Sequence, residues 1–346
     1  MTADAEGAGT SSSSRQRKAW PYVLAGVLAA YAVGLVVAGG ADALEAVRQA
    51  SPWALLGALA CQAGVVLVWP LVHRASLRSV GADLPYRQVL PVSMVVFAVS
   101  RTAPVGGAVG AAVGVERFSR AGVSGPAATG AAFLTGPFSV LTVVLLAVLG
   151  VAVEVLAGGL EASHLVAVVG ALLVLGGVIA GIVAALRTPR IGVWVIGRLG
   201  RLHRRLRKRA DGWERSWERV TEDPPSPLGV LRIVGWSLVM WSISLASLGL
   251  VFLAFGRTPE LTLLLVGFGI AHLASIVPTT PGAVGVAEGG MVFAFSLLGV
   301  PVGLGTTVAI TYRVLETWLP TVAGIVVLVR SNGGDAASSA EASRGT

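Results

Sequence analysis

Residues 89–115 read VLPVSMVVFAVSRTAPVGGAVGAAVGV, and residues 261–300 read LTLLLVGFGIAHLASIVPTTPGAVGVAEGGMVFAFSLLGV. Both are apolar enough to enter hydrocarbon, yet neither reads as a smooth helix. Pro91, Arg101, Pro104 and the glycines at 106, 107, 110 and 114 interrupt the first; Pro278, Pro281, Gly282 and Gly285 interrupt the second. Proline removes an N–H from the helix ladder, and an interior glycine costs about 1 kcal/mol relative to alanine. Each segment is therefore read as two half-helices around a break that re-enters the membrane.

Composition supplies the setting. The chain has 346 residues, of which 54% are hydrophobic and 13% charged, and its mean hydropathy is +0.78. A soluble domain carries about 25% charged residues. This chain lacks the charge to make such a surface, which excludes a soluble enzyme; its natural solvent is a bilayer. A lone cysteine, Cys61, excludes an intrachain disulfide and a thiolate cluster. The four histidines (His73, His164, His203, His272) are scattered without metal-ligand spacing. Neither a phosphate-binding loop of the GxxxxGK[ST] type, nor a GxSxG elbow, nor a dinucleotide fingerprint is present. No metal, cofactor or catalytic residue is expected.

Working outward, apolar runs at 20–38, 52–72, 127–153, 165–186, 228–255 and 302–329 read as full crossings. With the two broken segments, the expected fold is an all-α membrane protein, a polytopic bundle of about six to eight transmembrane helices. The higher count applies where a broken segment crosses fully. Residues 1–19 read as a disordered basic cytoplasmic tail, 20–330 as one integral membrane domain, and 331–346 as a second disordered tail. The net charge of +8 is concentrated at 187–223, with eleven basic against five acidic residues. There Ile191, Val195, Leu199, Leu202 and Leu206 form an apolar stripe, as in an amphipathic helix lying on the inner leaflet. The joint after residue 153 instead carries Glu154 and Glu161 and no basic residue. The positive-inside rule then puts both termini in the cytoplasm. An Arg-dominated, Ala/Gly/Val-rich composition suggests a bacterial chain, hence the inner membrane. The basic surface fits anionic lipid headgroups, not nucleic acid. Trp20, Trp53, Trp69, Trp236 and Trp318 lie near span ends, as an interfacial belt would.

The tetrapeptide GAVG occurs at 107–110 and again at 282–285. Each copy follows a proline and precedes a glutamate, Glu116 and Glu288 respectively. On this topology the first break enters from inside and the second from outside. That is an inverted repeat, about 20–153 and about 165–330, of the kind many secondary transporters use. Unpaired backbone groups at membrane depth must face protein, water or a ligand. Half-helix N-termini there favour anions.

Ionisable residues in apolar segments cost about 2.5–3.5 kcal/mol each on insertion scales and mark function by default. Here they are Arg101, His272, Glu288, Arg313 and Glu316. Either arginine can hold a phosphate through paired donors. Either glutamate can neutralise an arginine or carry a proton. Structural readings stay open beside these. Arg313 and Glu316, one turn apart, can simply fix helix packing; His272 can be a hydrogen-bonded packing residue; Glu288 can be a helix cap.

PTTPGAVGVAE, Pro278 to Glu288, resembles the P-x-x-P-G-G-x-G-x-x-E region of the lysylphosphatidylglycerol synthase transmembrane region family, the flippase-like membrane proteins. RTAPVGGAVGAAVGVERFSRAGVS resembles that family's first-half break, and Arg313 matches an arginine of its last span. The likeness covers roughly residues 20–330. It implies an integral membrane domain with inverted repeats that moves lipids or lipid-linked sugars between leaflets. Ala283 departs from the pattern where a second Gly stands, and Ala287 where a basic residue is common. The family's multiple peptide resistance factors carry a soluble aminoacyl-transferase domain as well. Nothing in the sequence after Arg330 corresponds to it, so the synthase activity is not carried over.

The leading expectation is an inner-membrane lipid translocase for an anionic phospholipid or lipid-linked sugar phosphate. The alternatives are a proton-coupled transporter of a small solute and an accessory subunit for lipid-linked glycan synthesis. A lipid-modifying enzyme or a second copy of the chain are the protein partners these readings suggest.

Overall fold

The computed structural model describes residues 48–102, 106–158, a few between 173 and 184, residue 222, and residues 224–275, 283–318 and 320–327. The first apolar run, the amphipathic stretch at 187–209 and both tails lie outside the described residues, as does most of 165–186. Among the described residues the regular structure is entirely helical.

Among the described residues three helices are long and apolar enough to cross a membrane: α1 (Pro52–Ser79), α4 (Gly125–Gly158) and α5 (Pro227–Ala254). At 1.5 Å per residue, the 28 residues of α1 or of α5 extend about 42 Å, more than the ~30 Å hydrocarbon core requires. Both open on a Ser–Pro pair. Proline suits a first helical turn, where its missing N–H leaves no bond unmade. Ser226 caps α5 by accepting the Gly229 N–H at 3.1 Å. α1 and α5 run antiparallel along their length. At one end the Ser51 N–H donates to the Ala254 carbonyl at 2.8 Å, and at the other Ser79 lies against Gly229. Small residues allow this approach: Gly57 faces Leu250 and Gly64 faces Ile243. Ser247 Oγ donates to the Ala58 carbonyl at 3.0 Å between them.

Both interrupted segments are broken as their sequences require. The first forms α2 (Tyr86–Thr102) and α3 (Gly106–Arg120), the second α6 (Leu261–Ala274) and α7 (Val286–Leu297). Each pair folds back on itself. Moving forward along α3 from Gly110 to Gly114 moves the contact back along α2, from Ser100 to Val96. Likewise Gly267 lies against the Phe295 ring, while Gly290 sits against Ile270 and Ala274. Half-helices of 12 to 17 residues extend only about 18–26 Å.

The hairpins dock on the long helices through further small residues. In α6, Gly269 meets Ala147 of α4, and Gly150 of α4 meets Leu265. Gly324 meets Met94 and Ala98 of α2. Phe252, Phe268, Phe295 and Tyr312 are wholly buried between α5, α6, α7 and α8 (Val302–Arg313).

Some boundaries differ from expectation. α3 continues through the ERFSR stretch to Arg120, because Glu116 and Arg120 are placed for an i,i+4 pair. α4 runs to Gly158 and so absorbs the start of the acidic joint. The last span bends before Pro320 through a π-helical turn at Val314–Trp318; helix resumes at 320–327. A π-turn inserts one residue into the ladder and rotates the following side chains, a distortion common at functional sites.

Candidate functional site

Residues flanking the two breaks are linked through the π-turn. Arg101 stands at the end of α2, directly before the first break. Its Nη2 donates to Glu316 Oε1 at 2.8 Å. Arg313, the last residue of α8, donates from Nη1 to Glu316 Oε2 at 2.6 Å and from Nε to Glu288 Oε1 at 3.1 Å. Glu288 lies in the first turn of α7, where its Oε2 accepts the Gly285 N–H at 2.7 Å. Thr317 Oγ1 adds a donor to Glu316 Oε2 at 2.6 Å. The result is an alternating chain, Arg101–Glu316–Arg313–Glu288, that ties the end of one broken hairpin to the start of the other half-helix.

Two guanidinium groups face two carboxylates, so the charge within this chain balances. Only 1% of Arg313 and 4% of Glu316 is exposed. Removing one partner of so buried a pair leaves an uncompensated charge and typically costs about 3–5 kcal/mol. Glu288 combines two roles that the sequence left as alternatives. It satisfies an orphan N–H at a helix start, where negative charge is favoured, and it pairs with Arg313. Gly285 enters that helix at φ +87°, a left-handed backbone that glycine adopts without a Cβ penalty. Ala283, where the resemblance expects glycine, holds a left-handed φ of +55° and is buried. Ala287, where a basic residue is common, is also buried.

His272, near the end of α6, completes the group. Its Nδ1 donates to the Phe268 carbonyl at 2.9 Å, so Nδ1 carries the ring proton. Its Nε2 has no hydrogen-bond partner among the described residues and lies 3.8 Å from Glu316 Oε1. Five residues separated by up to 215 positions thus form one cluster.

Beside the cluster is a cavity of about 690 Å³ between α1, α2, α3, α4, α5 and α6, of a size that holds a small ligand. Arg101, His272 and Glu316 line it, and most of the remaining wall is apolar or aromatic, including Trp69, Phe97, Phe118 and Trp241. An apolar chamber with an ionic wall suits an amphiphile.

The other sequence candidates fall in different places. Gly106 opens α3, Gly107 lines the cavity, and Gly110 sits against Ser100 and Val96 so that the hairpin can close. Glu116 pairs with Arg120 at 2.6 Å on a more exposed part of α3 and does not join the Arg101–Glu288 chain. Pro104, Pro278, Pro281 and Gly282 lie outside the described residues.

Several participants escaped the sequence reading. Phe97 lies under the Arg101 guanidinium at 5.2 Å, Phe268 stacks on His272 at 4.1 Å, and Trp241 meets His272 edge-on at 4.7 Å. Apolar residues in apolar segments carry no signal that separates site from core, although Phe97 and Phe268 each stand four residues before a flagged ionisable residue. Trp69, assigned to an interfacial belt, instead lines the cavity and contacts His73 and Phe97 by ring edges. Trp53 and Trp236 are exposed, as a belt requires.

Comparison with known proteins agrees with this architecture. A protein of Methanothermobacter thermautotrophicus described as a UPF0104 membrane protein is 24% identical over 323 residues, covering 88% of this chain and 93% of the relative. Two further matches of the same description and organism are local. One is 32% identical over 115 residues (33% of this chain, 32% of the relative) and the other 28% over 93 residues (27% and 26%). The family model described as lysylphosphatidylglycerol synthase TM region matches residues 22–324, a span holding both broken hairpins and the whole ionic chain, and the chain belongs to that family of membrane proteins.

Proposed function

We propose that this protein is a lipid translocase, moving an anionic phospholipid or lipid-linked sugar phosphate between leaflets. One observation carries the reading: the ends of two broken hairpins are joined by a buried Arg–Glu chain that forms the polar wall of an otherwise apolar cavity. A headgroup phosphate is the ligand that Arg101 can take up in exchange for Glu316, and acyl chains match the remaining wall. The protein's own contribution is binding and passage, without a catalytic step.

The reading includes an inverted repeat, and a constant register along the chain supports it. The step along the chain that carries Pro52 onto Pro227 also carries Tyr86 onto Leu261, Met94 onto Gly269, and one GAVG onto the other. To within two residues it carries Ala147 onto Gly324. The contact of Ala147 with Gly269 therefore has a counterpart in that of Gly324 with Met94. The corresponding helices α1 and α5 are antiparallel, so halves related by this step face opposite sides of the membrane. Two such halves can alternate about a fixed central site. The Arg-rich stretch at 187–223 argues for cytoplasmic termini, and composition for a bacterial inner membrane.

Reconstitution tests the proposal. Proteoliposomes carrying fluorescent phosphatidylglycerol, phosphatidic acid, a polyprenyl phosphate sugar or phosphatidylcholine are treated with a membrane-impermeant quencher. Protein-dependent loss of protection for at least one anionic lipid, weakened in Arg101→Ala, is expected. Movement of none of them refutes it.

A further inference from the structure

The ionic chain leaves one polar atom out. His272 is 92% buried by its side chain, lines the cavity, and has Nδ1 committed to the Phe268 carbonyl. Its Nε2 has no hydrogen-bond partner among the described residues and faces an acceptor, Glu316 Oε1, at 3.8 Å. A proton on Nε2 would give that carboxylate oxygen a donor across the buried gap. Glu316 Oε1 is also the atom that Arg101 holds at 2.8 Å. Arg101 is the most exposed member of the chain. It is 17% exposed along the cavity and makes one hydrogen bond to the chain, whereas Arg313 is gripped on both sides.

Charge balance turns this geometry into a prediction. Among the described residues, two cations and two carboxylates make up the resting chain. An anion that binds Arg101 adds a negative charge to a poorly hydrated site and strips Glu316 Oε1 of a partner. An uncompensated charge there is strongly disfavoured. Resting on the lipid reading above, we infer that His272 takes up one proton at Nε2 as the anionic headgroup binds, and replaces Arg101 on Glu316. Transport of the anion is thereby coupled to a proton. The balance is one N–H bond formed at Nε2 and one broken in hydronium, returned to water when the anion leaves.

The surroundings fit that role. The charged and titratable groups grouped around His272 are Glu316 from the π-turn, Arg101 from α2, Arg313 and Tyr312 from α8, and Glu288 from α7, reached through Arg313. Tyr312 Oη is engaged with Ser244 at 2.8 Å. The polar side chains that α4 and α5 bring to the cavity wall, Thr135, Ser139, Trp241 and Ser244, are uncharged. His73 of α1 lines the same cavity, but its Nδ1 is engaged with Ser93 Oγ at 2.7 Å.

Dioctanoyl phosphatidylglycerol is a suitable probe, because its phosphodiester does not itself titrate near neutrality. Calorimetric titration of the full chain in neutral-detergent micelles, in buffers of differing ionisation enthalpy, counts protons taken up per lipid bound. Wild type is expected to take up close to one, and its affinity to fall as pH rises, by about tenfold per pH unit where a whole proton is taken up. His272→Gln is expected to bind with no uptake and a flat pH profile. Wild-type binding without proton uptake overturns the coupling and leaves the lipid reading intact; that measurement needs no variant to fold. Uptake that survives His272→Gln overturns the assignment. Absence of binding, together with no lipid moved in vesicles, overturns the lipid reading and the coupling with it.

Discussion

Glu316 is the hub of the site, and neutralising it has consequences that can be sized. Its carboxylate accepts from Arg101 at 2.8 Å, Arg313 at 2.6 Å and Thr317 at 2.6 Å, with 4% of the residue exposed. Glu316→Gln preserves shape but takes from Arg101 the carboxylate it pairs with and leaves Arg313 paired with Glu288, so the chain carries a buried excess of one positive charge. Loss of one partner from a buried pair costs about 3–5 kcal/mol. Arg101→Gln leaves the opposite excess, at lower cost because Arg101 is the more exposed partner. The double variant restores neutrality, so its destabilisation is expected to fall short of the sum of the singles by about 1–3 kcal/mol, the range for directly paired residues. Unfolding in mixed dodecyl maltoside–SDS micelles, followed by tryptophan fluorescence, measures all four proteins. Additivity within about 0.5 kcal/mol would refute the claim that these charges act as one network.

Other expectations follow from the backbone and the packing. Gly285→Ala forces a Cβ into a left-handed backbone and is expected to cost about 1–2 kcal/mol, although the space beside it is open. Ala283→Gly at φ +55° relieves similar strain but loses a buried methyl, so a nearly unchanged unfolding midpoint is expected. Gly269→Val would bring a Cβ to 2.5 Å from the Ala147 side chain; a cost of about 1–3 kcal/mol should appear as a lower detergent-unfolding midpoint, while Gly235→Ala, with nothing near it, should leave that midpoint intact. Outside the membrane, hydrogen bonds from Arg78 and Arg74 hold the Asp83 carboxyl below its ordinary value of 3.8. Its stabilising contribution is therefore full above that value and lost as pH falls through the lowered one; Asp83→Asn should remove this part of an acid-unfolding curve.

The membrane setting, the two breaks and the five ionisable residues were legible without coordinates. Each follows from a local rule: hydrocarbon excludes charge, proline lacks a donor, and glycine weakens a helix whatever surrounds it. For the same reason the structural and functional readings of Glu288, and of the Arg313–Glu316 pair, could not be separated in the sequence. Capping and pairing use the same carboxylate, and the structure has it do both. Glu116 shows the opposite case. Like Glu288 it follows a GAVG, though six residues on where Glu288 stands three, and it pairs on its own helix with Arg120.

Tertiary structure alone decided which of those residues meet. Nothing local links Arg101 to Glu316; the antiparallel fold of α2 against α3 and the π-turn at Val314–Trp318 bring them together. It also decided that Trp69, Phe97 and Trp241 wall a chamber and not a core, since an apolar side chain reads the same in either place. Local chemistry determines what a segment can tolerate in a bilayer. Only long-range packing of small residues determines which buried charges neutralise one another, and which buried nitrogen is left without a hydrogen-bond partner among the described residues.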